Sequence, residues 1–194
     1  MQAVDRLLSF VERDFRHPEV PFPTGANAGA IKEFQRYAGV RLPDSLCALY
    51  ARCDGELVAH GDDSPEMFYG LPFLSIEQAT FKLHLFREGA KHDSGWTFQS
   101  RPSGGVREVY SSPKWIPFAG LYSTDYFALD YDPGPKGVAG QVILFSTDEA
   151  RRTCVAQSFD QFLATMLTRY ADRTYHPAFG WSLNDLYAIP FDSV

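Results

Sequence analysis

Apolar residues recur along this chain in two rhythms, one of helical period and one of short β-prone runs. Val4, Leu7, Leu8, Val11 and Phe15 fall on one face and predict a first helix from about Val4 to Phe15. His17 to Gly29 holds Pro18, Pro21, Pro23, Gly25 and Gly29 and reads as a loop. Ile31, Phe34, Tyr37 and Ala38 mark a second helix, with Asn27 placed to cap it and Gly39 to stop it. A third helix opens at Pro43, where a missing N–H costs nothing, and Asp44 meets the positive end of its dipole. Leu46, Leu49, Tyr50 and Cys53 form its stripe and Gly55 ends it. Met67 to Leu74 has strand composition, although Gly70 and Pro72 make it short or an edge. Ser75 and Gln78 then form a capping box, and Ile76, Ala79, Leu83 and Phe86 supply the buried stripe of a helix ending near Gly89.

Beyond Lys91 the period shortens. Lys91 to Pro113 is mostly loop, with Val106–Tyr110 a candidate strand. Trp115–Ala119, Tyr126–Asp130, Gln141–Phe145 and Thr153–Ala156 are β-prone. Asp132, Pro133, Gly134, Pro135, Gly137 and Gly140 make an extended turn between two of them. A second capping box, Ser158 with Gln161, precedes Phe159, Phe162, Leu163, Met166, Leu167 and Tyr170 at helical spacing. The tail over 171–194 carries Phe179, Trp181, Leu186, Tyr187 and Phe191, which argues for docking on the domain. Helices, then strands, then a helix predict one α+β domain over residues 1–194. Its sheet should be mixed and antiparallel-rich, with helices packed on one side and residues 1–38 supplying N-terminal helices.

Composition narrows the classes. With 45% apolar and 22% charged residues over 194 positions, the chain can bury a core without staples. A net charge of −6 argues against nucleic acid, which needs a basic face to release counterions. It suits a basic protein partner, and equally a surface that is merely kept soluble. The three cysteines, Cys47, Cys53 and Cys154, form no C-x-x-C and read as buried free thiols. No apolar run approaches the ~20 residues of a membrane span, and Met1 opens straight into an amphipathic helix. A cytoplasmic protein without membrane contact is expected.

A search for reaction chemistry finds no G-x-S-x-G, H-E-x-x-H or G-x-x-x-x-G-K-[ST]. His17, His60, His84, His92 and His176 are scattered, and His84 and His92 lack a third ligand. His60-Gly61-Asp62-Asp63 has metal or acid–base residue types, and a solvated loop is the plainer reading. Asp130-x-Asp132-x-Gly134 echoes a calcium loop, but Pro133, Pro135 and Ala139 do not continue it. No enzyme, cofactor or metal is expected. Charge layout says more. Asp54, Glu56, Asp62, Asp63, Glu66 and Glu77 fall in a stretch without Lys or Arg, and Asp125, Asp130, Asp132, Asp148 and Glu149 have only Lys136 among them. If those stretches converge, they make a negative docking patch with aromatic neighbours Phe68, Tyr69, Tyr122 and Tyr126; the plainer reading is acids covering loops.

Two segments carry a family likeness. G-V-R-L-P-D-S-L-C-A-L-Y-A-R-C-D-G-E, from Gly39 to Glu56, has a short helix beginning at L-P and closing on a polar residue plus Gly. From Trp115 to Leu167 come W-I-P-F-A, then D-Y-F-A-L-D-Y-D-P-G-P-K-G-V-A-G-Q-V-I-L-F, then V-A-Q-S-F-D-Q-F-L-A-T-M-L. Over about Gly39 to Leu167 the chain resembles the SUKH superfamily of yeast cell-wall assembly regulators and bacterial toxin-immunity proteins, with Asp54 where Asn is usual. The resemblance implies a binding protein. In a bacterium it implies immunity through direct contact with a cognate, basic protein toxin, possible contacts being Asp62, Asp63, Tyr122, Asp125, Asp130 and Asp132. A regulatory or scaffolding module of the yeast type is the alternative, and an enzyme using Cys154, His60 or the Asp cluster is a third reading.

Overall fold

The computed structural model describes residues 2–14, 22–56, 67–92, 95–121 and 124–172. In chain order these form α1 (Gln2–Asp14), α2 (Ala28–Ala38), α3 (Asp44–Arg52), α4 (Ile76–Gly89), β1 (Gln99–Arg101), β2 (Trp115–Leu121), β3 (Asp125–Asp130), β4 (Gln141–Ser146), β5 (Arg151–Ala156) and α5 (Phe159–Ala171). The result is the α+β domain that the hydrophobic pattern predicts. The expected tail docking concerns residues outside those described.

Strand order is β1-β5-β4-β3-β2, antiparallel throughout except for the parallel β1–β5 pair. Every residue of β3 and β4 is buried, because both faces of the sheet are covered. On one face Ile116, Phe118, Phe127, Leu129, Val142 and Leu144 meet the helices in the main core, where Phe162 of α5 and Tyr50 of α3 also pack. On the other, Trp115, Tyr126, Ala128, Ile143, Phe145 and Cys154 form a second core with Val106 from the loop before β2. Helix α4 serves both: Ala79 and Leu83 enter the first and Phe86 the second.

Caps follow the sequence closely at two helices. The Asn27 side chain accepts from Ala30 N–H, and the Ser75–Gln78 box is complete in both directions. At α5 only half of the expected box forms. Ser158 Oγ accepts from Gln161 N–H, but Gln161 Oε1 turns to Gln157 N–H instead. Helix α3 stops at Arg52 with Cys53 extended, three residues short of the predicted stop at Gly55.

Two strand expectations are corrected. Met67–Leu74 is a two-residue hairpin, in which Phe68 and Leu71 exchange hydrogen bonds and Tyr69 and Gly70 both have positive φ. Phe73 then bridges Ala119, so this segment covers the edge of β2 without forming a ladder. Val106–Tyr110 is no strand either. Val106 plugs the second core, while Val109 and Tyr110 give their carbonyls to a buried arginine. The edge strand beside β5 is instead Gln99–Arg101, which has no apolar alternation to announce it.

Candidate functional site

Of the three predicted contact acids that are described, Asp125 and Asp130 turn inward and Asp132 stays partly exposed. Asp130 is fully buried at the end of β3, where one carboxylate oxygen accepts from Asp132 N–H at 2.8 Å and the other from Gln141 Nε2 at 2.9 Å. Burial raises its pKa from 3.8 to about 6, while these hydrogen bonds pull the other way. The Trp115 indole, opposite Asp130 in the β2–β3 register, adds to that pull without reaching hydrogen-bond geometry. Asp125 is also buried, and its carboxylate accepts from Thr124 Oγ1 at 2.8 Å. It lies at the other end of β3, roughly 17 Å from Asp130 by strand rise. Asp132 is partly exposed and accepts from Arg107 Nη1 at 2.7 Å and Ser112 Oγ at 2.9 Å. Asp62, Asp63 and Tyr122 lie outside the described residues.

Asp54 and Glu56 are likewise structural acceptors. Asp54 Oδ1 takes Ile76 N–H at the start of α4, and Glu56 holds the N–H groups of Met67 and Phe73. An acidic run therefore reads as a surface charge in sequence, yet these members satisfy backbone donors that a turn would leave bare.

Cleft geometry singles out another place. On the second face of the sheet a cavity of ≈ 300 Å³ is lined by His92, Trp96, Phe98, Arg107, Tyr110 and Asp132 among others. Trp96 is 54% exposed and stacks on Phe98 at 6.5 Å, and Phe98 in turn meets Tyr110 at 6.2 Å. Behind them lies Arg152, fully buried, its guanidinium carbon 4.2 Å from the Phe98 ring. It donates to the carbonyls of Val109, Tyr110, Ser146, Glu149 and Arg151 at 2.6–3.1 Å. The loop that walls the cleft is thereby fastened to β5 and to the β4–β5 turn. Of these residues the sequence reading singled out only Asp132 as a contact. Trp96 carried the one available signal: a bulky aromatic in a polar loop, outside any periodic stripe.

The enzyme reading meets a chemical obstacle. Burial pushes the Cys154 thiol up to about 11 and Cys53 up to about 12, so both stay protonated and poorly nucleophilic. Among the described residues no group of three or more His, Cys, Asp or Glu could hold a metal ion. No helix among them is long and apolar enough to cross a membrane.

A model of the SMI1/KNR4 family (SUKH-1) matches residues 25–165. The chain belongs to that family. In this SMI1/KNR4 chain the match runs from the approach to α2 into α5 and takes in the whole cleft, starting earlier than the Gly39 boundary read from the motifs. A cell wall biosynthesis/cell cycle regulator of Schizosaccharomyces pombe is 33% identical over 116 residues, covering 54% of this chain and 23% of that protein. A KNR4/SMI1 homolog of Yarrowia lipolytica is 45% identical over 76 residues, covering 38% and 11%. A glucan synthesis regulatory protein of Neurospora crassa is 40% identical over 65 residues, covering 34% and 12%. The SMI1/KNR4 chain thus spans less than a quarter of the length of each of these relatives.

Proposed function

We propose that this chain is a protein-interaction module of the kind found in fungal regulators of cell-wall and glucan synthesis, working by binding and not by turnover in the cytoplasm. The similarity to the S. pombe regulator over more than half the chain carries this reading. It displaces immunity to a toxin as the leading role for a physical reason as well. That role named six contacts, and of the three that are described Asp125 and Asp130 are internal while Asp132 is engaged by Arg107, although Glu77, Asp148 and Glu149 of the same acidic stretches are exposed.

A domain exchange tests the reading. The matching segment of the S. pombe regulator would be replaced by this chain, and growth under cell-wall stress measured alongside localisation of the tagged chimera. Restored growth from a cytoplasmic chimera is expected. A stably expressed chimera that behaves like a deletion of the segment would sink the proposal.

A further inference from the structure

We propose that the cleft between Trp96 and Tyr110 is a docking slot for a proline-rich segment of a partner protein, flanked by a basic residue. The inference rests on the interaction-module reading and names its site and partner class. Phe98, only 5% exposed, forms the floor between two aromatic walls, of which Trp96 stands most open to solvent. A polyproline II strand has no internal hydrogen bonds and a preset backbone, so aromatic slots bind it at low entropic cost.

Charge selects the flank. The cleft is lined by one guanidinium, Arg107, and two carboxylates, Glu108 and Asp132, with Arg107 already held by Asp132 at 2.7 Å. With that pair formed, Glu108 leaves the lining one carboxylate in excess, which favours a Lys or Arg beside the proline core. Tyr110 and His92 both line the cleft, and their O–H and N–H groups are the donors available to the bare carbonyls of such a strand.

The Tyr110 wall of the slot is also preorganised. Arg152 fixes the Val109 and Tyr110 carbonyls, Ser111 Oγ donates to Phe86 O at 2.9 Å, and Ser112 Oγ donates to Asp132. Little ordering of that wall remains to oppose binding.

The probe is an immobilised library of twelve-residue peptides with a Pro-x-x-Pro core and one flanking Arg, beside a matched library with both prolines replaced by Ala. The full chain should be retained by the first and not the second. Trp96→Ala should weaken retention at least tenfold while lowering the unfolding midpoint only modestly, since about half of the residue lies in solvent. Glu108→Gln keeps an acceptor for Ser100 N–H, 3.1 Å away, and should cut the preference for Arg-flanked over Ala-flanked peptides about threefold. Equal retention on both libraries, or retention indifferent to Trp96→Ala, overturns the proposal. So does Trp96-dependent binding confined to an oligosaccharide array, which would make the slot a sugar site. If neither library binds while the S. pombe chimera restores growth, the interaction module stands and this cleft is not its proline site.

Discussion

A guanidinium enclosed by protein cannot shed its proton, so Arg152 has to satisfy its donors where it stands. It does so on five carbonyls drawn from two loops, the end of β4 and its own strand. Arg152→Met would leave several of those carbonyls buried without a donor and should cost on the order of 4 kcal/mol. Arg152→Lys retains the charge but not the planar fork, and a loss of roughly 2 kcal/mol is expected. Urea unfolding checks both, and a lysine variant as stable as the parent would refute the role. Asp130 makes a different residue-scale prediction. Its folded pKa is raised from 3.8 to about 6, so the folded state holds the proton more firmly than the unfolded chain. The stability it contributes is complete below pH 3.8 and lost as pH rises through 6, by at most about 3 kcal/mol. Asp130→Asn keeps an acceptor for Asp132 N–H, gives up the one for Gln141 at a cost of about 1 kcal/mol, and should flatten stability between pH 4 and 6. Unfolding midpoints across that range would show it; an unchanged slope would count against a buried, proton-holding Asp130.

Elements were legible wherever local chemistry decides them. The Ser75–Gln78 box and the α5 stripe need only neighbours in sequence, and both were read correctly. Strand β1 was missed because Gln99, Ser100 and Arg101 present no alternation, their pairing being set by β5 fifty residues on. Val106–Tyr110 was misread for the converse reason: β-prone residues there serve as a plug and as acceptors for Arg152. The α3–α4 junction joins local and distant causes. Gly55 has φ +88, and a Cβ there would sit 2.6 Å from Ser75 N. Gly55→Ala therefore meets both backbone strain and a backbone clash, and should destabilise by on the order of 3 kcal/mol. Because Asp54 and Glu56 fasten α4 and the hairpin on either side, hydrogen exchange should quicken first at Phe73 and Ile76. Exchange unchanged at those amides would show that the junction is not what the glycine protects.

At the scale of the molecule, the sheet is shared property. Alternate residues of β3 and β4 feed two cores, Phe127, Leu129, Val142 and Leu144 on the helical side and Tyr126, Ala128, Ile143 and Phe145 on the other. Neither core can open without stripping one face of strands that the other needs, and α4 ties them further through Leu83 and Phe86. This doubling was hidden in the sequence, since strands buried on both faces look like plain apolar runs and the covering loop has no period. The acidic stretches divide between surface and interior for a related reason. Charge in sequence carries no direction, and Asp54, Glu56 and Asp130 turn inward to meet N–H groups. Two cores on one sheet predict one transition. In a chain carrying Trp96→Phe and Trp181→Phe, fluorescence reports Trp115 in the second core, while far-UV circular dichroism reports chiefly the helices around the first. The urea midpoints of the two signals should coincide. A Trp115 signal lost at lower urea than the helical one would mean that the loop-covered core melts separately, and the slot walled by Trp96 and Tyr110 would then be a movable layer instead of a rigid one.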